Sequence, residues 1–158
     1  MILLEDTRNQ IDKHGKKHAW FEKNGIEIQR TKLVVGDYTL PTNQSICIDT
    51  KKDLQELCGN VTNQHKRFVA ELDLAEKLGI KLIILCEHSP QIKCLEDVQQ
   101  WKNPRLKFSP KALTGEKLFK ILHSIEVRHG CKFEFCGKSE TAKRIVDILM
   151  GGDLNARS

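Results

Sequence analysis

From Ile80 to Cys86 the chain runs Ile-Lys-Leu-Ile-Ile-Leu-Cys, an almost unbroken apolar stretch. Such a stretch predicts a strand covered on both faces, deep in an α/β sheet. Around it the pattern changes period. Ile2 to Glu5 reads as a first strand, followed by a helix that Asn9 or Asp12 would cap and that Gly25 would stop after Asn24. Ile26-Glu27-Ile28-Gln29-Arg30 alternates apolar and polar, as a half-buried strand does. Val34 to Leu40 and Ile46 to Lys51 are strand-like, and the polar run Pro41 to Ser45 would join them as a hairpin. Asp53 to Leu57 reads as one helical turn closed at Gly59, with Asp53 as its cap. Val61, Phe68, Leu72 and Ala75 share one helical face and predict a long helix from about Thr62 to Leu78. Leu118, Ile121, Leu122 and Ile125 predict another, opened by Thr114 and closed after His129 at Gly130. Cys131 to Cys136 is a short strand, and Ser139 would cap a last helix from Glu140 to Leu149.

The order β-α-β-β-β-α-β-α-β-α predicts an α/β domain with a central mixed β-sheet flanked by helices. Residues 88–113 break the pattern: three prolines, Trp101 and several lysines with no lasting period predict an insertion or long loop, with at most a short helix near Leu95 to Trp101. A single domain over 1–150 with a flexible tail at 151–158 is the expected organisation.

Composition narrows the class. Apolar residues make up 39% of the 158 and charged residues 30%, which suits a folded domain and argues against disorder. No apolar run approaches the roughly 20 residues of a membrane span, and the N-terminus turns acidic too soon for a signal peptide. A cytoplasmic protein is expected, or a nuclear one in a eukaryote. Cys47, Cys86, Cys131 and Cys136 fall in strand-like runs, where Cys serves as a small hydrophobe, and the spacings of the six cysteines do not match paired zinc ligands. The net charge is +5, with basic clusters at Lys13 to His18, Lys102 to Lys111 and Lys138 to Arg144. That balance suits a polyanionic partner, most simply nucleic acid, or a merely solvated surface.

The hairpin carries the candidate chemistry. Pairing of its strands brings Asp37 near Asp49, and Asp49 and Lys51, at i and i+2, share one face of their strand. Two carboxylates and an amine in one place are what metal-dependent phosphodiester hydrolysis requires. Taken singly, Asp37 is an ordinary turn residue and Lys51 a solvated strand end. On the next helix Gln64, Lys66 and Arg67 occupy the polar face; Arg67 could meet a phosphate or pair with Glu71 at i+4. Trp101 could stack on a base or pack into a small local core.

In order along the chain, Asp6-Thr7-Arg8 resembles the D-x-R-E motif, Gly36-Asp37-Tyr38 the G-D-Y motif and Asp49-Thr50-Lys51 the E-R-K motif of the nuclease domain of XPF-type structure-specific endonucleases, within the PD-(D/E)xK superfamily. Lys138-Ser139-Glu140-Thr141-Ala142 resembles the strand-to-helix passage near that domain's end. The likeness covers about 1–86 and 114–149. Asp stands for Glu at position 49, Thr for Arg at 50 and Asn for Glu at 9. The resemblance implies a restriction-endonuclease-like core and a metal-dependent DNA endonuclease acting on branched or structured DNA in repair or recombination, leaving a 5′-phosphate and a 3′-hydroxyl. It implies Mg²⁺ or Mn²⁺ on Asp37 and Asp49 with Asp6 close by, Lys51 orienting or deprotonating the attacking water, and Arg8, Gln64 and Arg67 toward the substrate. With the family's paired helix-hairpin-helix domain not found before Ser158, DNA affinity would come from this domain itself, from a homodimer, as the resemblance implies, or from a protein partner. The alternatives are a less selective nuclease of the same fold and a non-catalytic DNA-binding or dimerisation module.

Overall fold

A computed structural model describes residues 1–10, 14–88 and 90–151. Six strands form one sheet in the order β2-β1-β3-β4-β5-β6: β1 (Ile2–Asp6), β2 (Glu27–Thr31), β3 (Tyr38–Leu40), β4 (Asn43–Lys51), β5 (Lys81–Glu87) and β6 (Lys132–Cys136). β1 pairs β2 in parallel, β3 runs antiparallel to both β1 and β4, and β4, β5 and β6 are parallel. The apolar run at Ile80 to Cys86 thus lies between two strands, as its composition demands. Leu82, Ile83, Ile84, Leu85 and Cys86 are all essentially inaccessible, and each large aliphatic side chain so buried contributes roughly 1.5–3 kcal/mol.

The helices are α1 (Gly15–Lys23), α2 (Leu54–Val61), α3 (His65–Lys77), α4 (Gly115–His129) and α5 (Thr141–Leu149). Side chains alternate across a sheet, and β5 shows the consequence. Leu82, Ile84 and Cys86 join a core with α2, α3 and α4, whereas Ile83 and Leu85 join a second core with α1 and α5. On β4, Cys47 belongs to the first core and Ile48 to the second. Asp49 and Lys51 continue the Cys47 face, so the sheet delivers them to the side where α3 lies.

Several local expectations shift. The hairpin forms, but Val34 to Asp37 is a bend and only Tyr38–Leu40 is strand; the turn is tighter than the polar run suggested, with Leu40 already opposite Asn43. Gly36 explains the bend. Its φ is +74°, and a Cβ there would sit 3.0 Å from the Ile48 carbonyl oxygen, so the chain passes β4 too closely for any side chain. Asp53 caps its helix as expected, accepting from the Glu56 N–H at 2.9 Å, but α2 runs through Gly59 to Val61. Thr114 caps α4 by accepting from the Lys117 N–H. Ser139 makes no cap; it lies inside a 3₁₀ turn, Lys138–Glu140, that leads into α5. The candidate cap Asp12 falls outside the described residues. The cysteines are unpaired.

The insertion is folded. Leu95–Gln100 and Pro104–Lys107 are 3₁₀ helices, and Ile92, Leu95 and Val98 complete the first core. Trp101, partly buried, packs against that core with its ring edge-on to His88. Among the described residues no helix is long and apolar enough to cross a membrane.

Candidate active site

The bend at Gly36 places Asp37 between two strands. Its N–H donates to the Ile48 carbonyl at 2.7 Å, and its carbonyl accepts from the Asp6 N–H at 2.8 Å. The Asp37 side chain, on the face opposite Tyr38, accepts from both the backbone N–H and the hydroxyl of Thr50, each at 2.8 Å. Asp49 comes alongside, close enough for its charge to act on the Asp37 carboxyl. Lys51 Nζ lies 2.9 Å from Asp49 Oδ2, both side chains about 11% exposed, and sits over the Phe68 ring at 5.8 Å. The hairpin therefore brings together the two acids and the amine.

The charges at this point do not cancel. Burial first, and the neighbouring Asp49 charge second, push the Asp37 carboxyl up to about 8, against the two Thr50 hydrogen bonds. Glu71 of α3 shares the predicament. Burial and then Asp49 raise it, while Lys51, the Gly36 N–H and Arg8 pull the other way. Burial works against the charged form of Lys51, yet Asp49 outweighs it and the ammonium is raised above its ordinary value. Asp49, Glu56 and Glu71 thus all act on one enclosed lysine, and Asp37 crowds Asp49. Oxygen donors short of positive charge suit a hard divalent cation, and the hairpin sets Asp37 and Asp49 side by side, although among the described residues Asp37, Asp49 and Glu71 do not bring three ligand atoms within 4.8 Å of one another.

Asp6 shows a different commitment. Its Oδ1 accepts from the Leu33 N–H at 2.9 Å and its Oδ2 from Arg8 Nε at 2.6 Å, while the Arg8 guanidinium also donates to the Leu33 carbonyl. Asp6 keeps Arg8 charged and fixes the root of a side chain that is 60% exposed. Gln64, at the junction of α2 and α3, accepts from Asn60 Nδ2 at 2.9 Å. Gln64 and Arg67 line a small polar pocket of about 280 Å³ with Lys51, Glu56, Asn60 and Phe68. A larger groove of about 1410 Å³ opens over the acids. Seven cationic side chains (Lys16, Lys17, Lys51, Lys52, Arg105, Lys111 and Lys138) line it against four acids (Asp37, Asp49, Glu56 and Glu87), so its walls favour an anionic occupant.

Glu71 escaped the sequence pattern. As the i+4 neighbour of Arg67 it looks like half of a surface ion pair, but it is also i+3 from Phe68 and next to Leu72, at the edge of the buried stripe. An acid at that edge was the available signal. A separate group, Asp73, Glu76 and His129, could offer three ligand atoms within 4.8 Å of one another. It lies on α3 and at the end of α4 rather than on the hairpin, and His129 Nδ1 is already 2.6 Å from Glu76 Oε1.

The mixed six-stranded sheet flanked by helices is a restriction-endonuclease-like fold. Residues 6–148 match the ERCC4 domain, and the chain belongs to that family. The structure is similar to XPF from Aeropyrum pernix, with a TM-score of 0.66, 13% identity and 100% of this chain covered. It is likewise similar to XPF from Aeropyrum pernix in complex with DNA, with a TM-score of 0.65, 15% identity and 99% covered. The chain spans 64% and 65% of those two chains. No curated protein sequence matches it.

Proposed function

We propose that this domain is a divalent-metal-dependent DNA endonuclease that hydrolyses phosphodiester bonds in branched or structured DNA. The observation that carries this is the convergence of Asp37, Asp49 and Lys51 on the floor of a basic groove in an ERCC4 domain. The A. pernix relative in complex with DNA supports the choice of polyanion. Asp37 and Asp49, with Glu71 beside them, would hold Mg²⁺ or Mn²⁺. When bound, the cation supplies charge neutralisation and Lewis-acid polarisation of the phosphoryl group.

The protein's own groups take the remaining roles. Lys51 is held charged by Asp49, so it acts as a cation: it orients the attacking water and stabilises the charge that develops on the phosphate, rather than removing a proton. Thr50 fixes Asp37 through two hydrogen bonds. Asp6, its carboxylate already engaged by Leu33 and Arg8, serves as the anchor of Arg8 rather than as a ligand. Arg8 and, across the site, Arg67 and Gln64 meet phosphates of the bound strand. Pairing with a second copy or a partner protein, a role in repair or recombination, and residence in the cytoplasm or nucleus belong to the same proposal.

Labelled flap, fork, four-way junction and blunt duplex DNA, incubated with Mg²⁺, Mn²⁺ or EDTA, test it. Metal-dependent cutting of the branched substrates, lost in Asp49→Ala and Lys51→Ala, is expected. Binding without cutting under every condition would instead indicate a DNA-binding module.

A further inference from the structure

The groove over the acids has a second wall that the hairpin and α3 do not supply. Arg105, Ser109 and Lys111 of the insertion line it together with Asp37, Asp49 and Lys51. This wall is built rather than draped. Asn103 is only 4% exposed; its Oδ1 accepts from Gln55 of α2 and from the Arg105 N–H, and its Nδ2 donates to the Leu113 carbonyl at 2.8 Å. His88, against which Trp101 packs, accepts from the Leu54 N–H at the start of α2. Below, α4 begins directly under the insertion: a Cβ on Gly115 would lie 2.4 Å from the Val98 carbonyl oxygen and 2.5 Å from that of Trp101. The insertion is therefore locked to α2, the helix that follows Asp49 and Lys51, and to α4.

On top of this anchored wall stands Phe108, 88% exposed, the most exposed large apolar side chain among the described residues. Its N–H is tied to the Arg105 carbonyl at 3.0 Å, and Ser109 next to it lines the groove. Arg105 and Lys107 precede it in the 3₁₀ turn that Phe108 caps. An aromatic ring left in water on a fixed backbone, one residue from the groove-lining Ser109 and three from the groove-lining Arg105 and Lys111, gains nothing in the free protein. It matches what an unpaired nucleotide needs: a flat apolar face for the base and positive charge for its phosphates.

We propose that the insertion is the specificity element of the groove, with Phe108 stacking on an unpaired DNA base while Arg105 and Lys111 hold the adjoining phosphates. This rests on the DNA-groove assignment but not on catalysis. A base inside a duplex has its faces covered by its neighbours, whereas an unpaired nucleotide can turn a free face to Phe108. The wall would thus favour forks and flaps over blunt duplex by binding.

The test is binding of the full chain in EDTA, so that cleavage plays no part. Fluorescence anisotropy would compare a blunt duplex with the same duplex carrying an unpaired arm, and 2-aminopurine at the first unpaired position would report stacking. The wild type should prefer the forked DNA and quench the 2-aminopurine. Phe108→Ala should lose about tenfold in affinity for the fork and less than twofold for the duplex, with the quenching gone; stacking on one base is worth that much. Phe108→Trp should restore both signals. Arg105→Ala should weaken both DNAs and reduce the salt dependence. Melting should be unchanged in the Phe108 variants, because the ring is out in solvent. Wild type that binds neither DNA, or Phe108→Ala that binds both as the wild type does or loses both equally, would overturn the proposal. A protein that shows this preference yet never cuts DNA would leave it standing while removing the nuclease assignment.

Discussion

Buried and half-buried acids occupy both faces of one sheet, and their surroundings differ. On the α1 side Glu5 is fully enclosed and fully matched: the Tyr38 hydroxyl donates to it at 2.6 Å, His18 lies 2.8 Å away, and Arg30 pairs with its other oxygen. Burial alone would raise this carboxyl, but Tyr38, His18 and Arg30 together bring it below its ordinary value. On the α3 side Asp37 and Glu71 crowd Asp49, the partner of Lys51, and burial and the Asp49 charge push both up. Neighbouring residues supply both groups: Tyr38 turns one way and Asp37 the other. The comparison separates acids that hold a fold together from acids left short of charge for a ligand.

The largest expected effect breaks the ligand side. Asp49→Ala should lower DNA cleavage by about 10³-fold while DNA binding and melting temperature stay near wild type, as single-turnover cleavage and calorimetry would measure. The corresponding change on the other side, Glu5→Ala, should do the reverse. Removing one partner from a buried, charge-paired cluster costs about 3–5 kcal/mol, so urea unfolding should show a loss of that size, with any remaining folded protein still able to bind metal. Next in size, Glu71→Gln should weaken Mn²⁺ binding about tenfold, the scale of a residue that supports the ligands directly.

The smallest effect is the pH dependence of the metal-free protein, and its two limbs have opposite signs. The Glu5 carboxyl is lowered by folding, so its stabilisation is present above the unfolded value of 4.5 and lost as the pH falls below it. The Asp37 carboxyl is raised to about 8 from 3.8. The folded state then holds a proton that the unfolded state has released, and stability falls as the pH rises from about 4 through 8. In EDTA the melting temperature should fall between pH 5 and pH 8. Asp37→Asn should flatten that limb and leave the acid limb in place.

The fold was largely legible because its strongest signals are local. The apolar run at Ile80 to Cys86 can only be an inner strand, and the i, i+2 spacing of Asp49 and Lys51 follows from the pleat. The hairpin placed Asp37 near them even though Val34 to Asp37 turned out to be a bend, since Gly36 and not strand pairing sets the close approach to β4. Glu71 was not legible in the same way. Helical spacing offered it to Arg67, and only the packing of α3 on the Asp49 face shows where it goes. The insertion was the least legible region. Its 3₁₀ helices lack a period that sequence can reveal, and its order comes from Asn103, Trp101 and Gly115 fitting groups distant in the chain.

The central claim, that the unbalanced acids form a divalent-cation site, is tested most directly by titrating metal-free protein with Mn²⁺ at pH 7.5 in two buffers of different ionisation enthalpy. Saturable binding is expected, with a buffer-dependent heat that reports release of a proton from Asp37, and with both signals lost in the Asp37→Asn, Asp49→Asn double variant. No binding up to millimolar Mn²⁺, or the same binding in that variant, would contradict it.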